Sequence, residues 1–340
     1  MMPGQGFAPL SRSFSSRRVT FSGIFRPYIS EDAKVRMAFL SLSRTLSQTL
    51  FRPPLRRLVS ILFITLTALA AGQSQPATKP SANQNHESIL RTVAEIKRAD
   101  YEGDRAALKR LHGELTPLPD DKFLASRVLY WRGFALWRRA INGFNETPTP
   151  TDLADDLNGA VTDFKDSLAQ DPTYVESKIG EASSFGYLAY LNMKDPARMQ
   201  ELIQQSSPLL KDAMASDPDN PRLLWVLGPI RWSSPPERGG GQDKAFDLYN
   251  RGLEAIRKRP AGDALDPSWG GPELLMNRAW SNLHRTEPDL KSAQKDAEAA
   301  LALVPYWHYV RDILLPQIRE AEAKAEAKAD AKANGKAEVH

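Results

Sequence analysis

Gly239-Gly240-Gly241 is the first place in this 340-residue chain to look for chemistry. Consecutive backbone N–H groups in such a loop can cradle an anion. A nucleotide phosphate loop would need Gly-Lys followed by Ser or Thr, and Lys244-Ala245 does not supply it. The competing reading is a turn whose glycines take positive φ ahead of the next helix. Arg231, Trp232 and Arg238 lie beside the loop in sequence. A ligand held there would be gripped by cation–π contact or by a guanidinium on a carboxylate.

Other chemistry is poorly supplied. His86, His112, His284, His308 and His340 are scattered, without an HExxH or a pair at ligand spacing, so no metal is expected. No GxSxG marks a nucleophile. Asp155-Asp156 point different ways on a helix and Asp120-Asp121 sit in a turn; both pairs read as solvated or capping residues. The chain has no cysteine, which excludes disulfides, thiolate sites and a lipid-modified N-terminal Cys. No cofactor is expected. Trp131, Phe134 and Trp137 step by three and read as a buried face, whereas Tyr187 and Tyr190 are better placed to line a groove.

The elements that position these residues follow from a recurring pattern. A small residue is followed four later by a bulky or apolar one, three later by a small one, and five later by proline. It runs Ala160, Phe164, Ser167, Pro172; then Ser206, Leu210, Ala213, Pro218; then Ala293, Ala297, Ala300, Pro305. Ala107, Leu111, Glu114, Pro119 is a weaker copy. Offsets of four and three share one helical face, and proline stops the helix. Periodicity from Ser88 to about Ile318 predicts five helix pairs with no strand, and a terminal helix Tyr306–Arg319 as cap. Pro196–Gln205 reads as an extra helix, with Pro208 opening a new one capped by Ser206 or Ser207.

These spacings resemble the tetratricopeptide repeat, a helix–turn–helix unit of 34 residues, over roughly residues 88–320. The best first-helix match is Leu224, Leu227, Gly228, with Arg231 where Tyr is usual. The stop prolines Pro119, Pro172, Pro218, Pro260 and Pro305 lie 42 to 53 apart, so inserted loops and the extra helix must absorb the excess. Residues 220–254, with NPR, a later Pro and GGG, look like exported bacterial tetratricopeptide proteins of unassigned function. A looser similarity is to the helical periplasmic accessory component of some solute transporters. The resemblance implies an all-α solenoid of about five hairpins.

Charge divides the chain. Residues 1–57 hold ten Lys and Arg against Glu31 and Asp32, leaving 35 basic against 39 acidic groups from residue 72 onward, so the body is a poor candidate for nucleic acid. Arg56-Arg57 precede the uncharged run 58–71, which reads as a secretory signal within the targeting segment 1–71; Met37 is an alternative start. Fourteen residues fall short of the roughly 20 a membrane span needs. An uncleaved anchor, an organellar transit peptide and a twin-arginine signal stay open. Residues 72–87 read as a linker, 88–320 as the repeat domain and 321–340 as an Ala/Lys/Glu-rich solvated tail. The expectation is an exported, periplasmic or secreted, non-catalytic scaffold for a protein or peptide partner. Its binding residues would be Tyr187, Tyr190, Arg231, Trp232, Arg238 and Gly239–Gly241. The alternatives are a solute-binding accessory to a transporter and an enzyme of unknown class.

Overall fold

The computed structural model describes residues 82–116, 121–259 and 262–337. The targeting segment with Met37, Arg56-Arg57 and the run 58–71, the linker up to residue 81, and Asp120, Pro119, Pro260 and His340 lie outside the described residues. Among the described residues there is no strand, and no helix is long and apolar enough to cross a membrane.

Five helix pairs follow in order: α1 (Ala82–Glu102) with α2 (Arg105–Glu114), α3 (Lys122–Gly143) with α4 (Leu153–Gln170), α5 (Val175–Leu191) with α6 (Pro196–Ser216), α7 (Pro221–Ser233) with α8 (Gln242–Lys258), and α9 (Gly271–His284) with α10 (Leu290–Leu303). A π-helical turn, Tyr309–Leu314, leads into α11 (Leu315–Ala337). Each pair packs tightly within itself, and its first helix packs on the first helix of the next pair, the solenoid arrangement the periodicity predicts. α1 begins ahead of the expected start at Ser88, because Ala82–Glu87 holds no proline or glycine to stop a helix.

The recurring pattern has a physical meaning at both ends of these helices. The second helices of three pairs stop alike: Asp171 N–H donates to the Ser167 carbonyl, Asp217 N–H to Ala213 and Val304 N–H to Ala300, with a proline next in sequence. Starts are fixed by side chains. Asp104, Asp121, Asp195, Asn220 and Asp289 each accept a backbone N–H from the first turn. The bulky position fills the gap between successive first helices. Phe164 lies so close to Gly133 on α3 and Gly180 on α5 that a Cβ would sit 2.9 and 2.3 Å from its ring.

One expectation is corrected. Pro196 to Ser216 is a single helix, with Pro208 inside it. Ser206 and Ser207 do not cap a new helix: Ser206 Oγ donates to the buried Ala182 carbonyl (2.8 Å), and Ser207 Oγ donates back to Ile203 (2.8 Å). Tertiary anchoring through Ser206 and the buried Leu202 and Ala213 outweighs the hydrogen bond Pro208 cannot make.

The array curls until its ends meet. Tyr101 on α1 packs edge-on against Trp307 (5.1 Å), and its hydroxyl donates to Glu273 of α9 (2.7 Å). The segment between α8 and α9 crosses the inner face. Leu265 and Trp269 are buried there, Trp131 Nε1 donates to the Leu265 carbonyl (2.8 Å), and Trp269 Nε1 donates to the Tyr130 hydroxyl (3.0 Å). Trp131, Phe134 and Trp137 are core residues, as expected, and the last two meet Trp269 at 5.5 and 5.8 Å. The middle of the concave face is therefore occupied by the chain itself.

Candidate functional site

The glycine loop is built from the end of α7. Ser234 N–H closes that helix onto the carbonyls of Ile230 and Arg231 (3.1 and 3.2 Å), and a 3-10 turn, Pro236–Arg238, follows. Gly239 takes φ +72° and Gly241 φ +115°. All three glycine amides are consumed inside the loop. Gly239 N–H donates to Pro236 (2.9 Å), Gly240 to Pro235 (3.2 Å) and Gly241 to Arg231 (2.9 Å). No backbone anion cradle forms, because these donors close the turn. Gly240 is also fixed sterically: a Cβ there would lie 2.1 Å from the Ser234 carbonyl oxygen. The glycines shape the place and leave the chemistry to side chains.

Arg231 supplies it. The side chain is half-buried and lines a cavity of about 470 Å³ with Gly239, Lys244, Asp247, Leu248 and Arg251. Trp232, next in the helix, packs edge-on against Phe246 (6.2 Å) and Trp280 (5.9 Å). Arg238 is exposed on the 3-10 turn. One cation here, Arg285, lies over the Phe246 ring (5.5 Å), and no motif singles it out.

Tyr187 and Tyr190 form a second place, on α5. Phe144 stacks on Tyr187 (5.5 Å, 27°) and meets Tyr190 edge-on (5.8 Å, 75°). Burial pushes the Tyr187 phenol upward in pKa, and the Arg138 charge opposes that shift only in part. Both tyrosines are half-buried.

A larger cavity, of about 850 Å³, escaped sequence reasoning. It lies where α3, α5 and α7 begin, against the segment that crosses the inner face, and its walls include Arg127, Asp171, Glu176, Arg222, Arg259 and Asp266. Most of this charge is paired. Arg127 bonds Asp171 (2.6 Å), Arg259 bonds Asp217 (2.6 Å), and Arg222 grips Glu176 and reaches the Trp269 carbonyl (3.3 Å). Asn220 caps α7 and donates to Glu176 (2.7 Å), so the NPR motif here is structural. A signal existed in the sequence: the aspartates preceding Pro172 and Pro218 both line this cavity.

The carboxylate pairs also settle. Asp121 caps α3, as one expectation had it. Asp156 is not solvated: it is buried, bridged by Arg139 and 3.3 Å from Arg105, because the first turn of α4 packs on α3. Asp152 accepts from Arg105 (2.5 Å) and Arg139 (2.6 Å). Burial raises its pKa, but those two guanidinium bonds outweigh it and hold the carboxyl at about 2.

The hairpin packing decides the architecture. The fold is an all-α array of stacked helix hairpins. No family model and no curated protein sequence matches the chain. Among solved structures, it is similar to a thermophilic TPR protein from Thermus thermophilus, at 18% identity and TM-score 0.44, over 68% of this chain and 98% of that one. It is also similar to the haemophore HusA from Porphyromonas gingivalis, at 18% identity and TM-score 0.48, over 62% and 98%.

Proposed function

We propose that this chain is an exported scaffold that binds a protein or peptide partner in the cell envelope and catalyses no reaction. The observation that carries the reading is the architecture itself. Stacked hairpins give a broad, ordered surface, and buried arginines such as Arg138, Arg139 and Arg222 are already tied up in structural ion pairs. Leu265 and Trp269 fill the middle of the concave face, so a partner would be met at its rim or at the half-buried places beside it. The leader 58–71 supports export.

The test is affinity capture from envelope extract with the form released by cleavage after Ala70 or Ala71. A reproducible protein partner is expected. A second reading, a solute-binding accessory to a transporter, is favoured by the 850 Å³ polar cavity. Repeated captures without a partner, together with a clear thermal shift in a metabolite screen, would replace the first reading with the second.

A further inference from the structure

We propose that the groove beside the glycine loop recognises a carboxylate on an acidic segment of a polypeptide partner, with Arg231 as the group that grips it. The inference rests on the scaffold reading above and names the chemistry of its partner.

An imbalance in charge pairing carries it. Arg105, Arg132, Arg138, Arg139, Arg222 and Arg278 are buried or half-buried, and each meets an aspartate or glutamate side chain. Arg231 is half-buried too, and like Arg285 it makes no hydrogen bond or ion pair among the described residues; Arg285 instead lies over the Phe246 ring, whereas Arg231 faces the groove. No nitrogen of Arg231 is among the buried atoms that lack a partner, so its N–H groups reach the solvent in the groove, where an entering anion can meet them. A carboxylate matches the planar guanidinium fork through two parallel hydrogen bonds.

The surroundings set sign and size. The 470 Å³ groove presents Arg231, Lys244 and Arg251 against one acid, Asp247. Asp247 lies 3.7 Å from Lys244, and Arg251 bonds Asp219 at 2.6 Å, so Arg231 is the cation left to a ligand. Leu248 gives the groove an apolar wall against which the stem of a carboxylate side chain can lie. Gly239, whose φ of +72° favours glycine, borders the groove 4.0 Å from Arg231 Nη1 as measured from an ideal Cβ.

Fluorescein-labelled tetraglutamate, titrated against the intact chain by anisotropy, tests the site. With both C-termini amidated, tetraglutamate is expected to bind, more weakly as salt rises, and tetraglutamine is not. Arg231→Ala should weaken binding by about tenfold or more, the loss of roughly one charge-assisted contact. Arg231→Lys should recover only part of it. Arg257→Ala, which removes an exposed cation further along α8, should change nothing. Circular dichroism confirms that each variant is folded. Equal binding by wild type and Arg231→Ala, or no binding of tetraglutamate, overturns the proposal. So does displacement by inorganic phosphate at concentrations where acetate has no effect. Repeating the envelope capture with Arg231→Ala separates the two readings. A partner held equally by both forms removes the site and keeps the scaffold, whereas no partner for either removes the scaffold.

Discussion

Arg222 shows how a single residue can look functional in the sequence and prove structural in the fold. It sits in the NPR triplet, but its guanidinium is buried against Glu176, under the carbonyl of Trp269. Removing one partner of a buried pair strands the other's charge. Glu176→Gln should therefore cost about 3–5 kcal/mol in chemical denaturation, and Glu176→Met paired with Arg222→Met much less. Gly228 is a second case. A Cβ there would lie 2.0 Å from the Tyr249 ring, so the small residue of the first-helix match is required by contact with the second helix. Asp152 makes a pH prediction. Its carboxyl is held at about 2 in the folded chain, against roughly 3.9 in an unfolded one. Its contribution is then complete above about pH 4 and is lost as pH falls toward 2. The difference in melting temperature between wild type and Asp152→Asn should shrink over that window. A difference that stays constant from pH 6 to pH 2 would show that the arginine contacts do not depress the pKa.

At the level of elements, boundaries were legible wherever one short-range rule governs them. The ends of α4, α6 and α10 could be read because Pro172, Pro218 and Pro305 follow their closing residues Asp171, Asp217 and Val304. Pro208 was misread because proline usually opens a helix, and nothing local revealed that Ser206 reaches the Ala182 carbonyl on the neighbouring helix. The long-range contact overrides the local preference. Replacing Pro208 with Ala restores an N–H able to reach the Gln204 carbonyl. Melting curves should show a gain, about 1–3 kcal/mol, with no loss of helix content. A loss of stability would mean that the chain exploits a kink there.

Across the whole molecule, the decisive feature is that α1 meets α9 and Trp307. Tyr101→Ala should loosen this closure, and amide exchange should quicken in α1 and around residues 306–315 while α5 and α6 stay protected. Uniform protection would mean that the ends are held independently of Tyr101. The chain's sequence alone determined its class: repeated small–bulky–small–proline spacing at 3.6-residue periodicity allows amphipathic hairpins and little else. It also marked Trp131, Phe134 and Trp137 as core, because their step of three keeps them on one face. Sequence could not show which inner-face surface remains open. Leu265 and Trp269 lie in a segment without helical period, and they pack against residues more than a hundred positions earlier. Nor could it show that the glycine amides turn inward while Arg231 is left without a carboxylate. Periodicity is a property of neighbours along the chain, whereas the pairing of a buried charge and the filling of a groove depend on residues that only folding brings together.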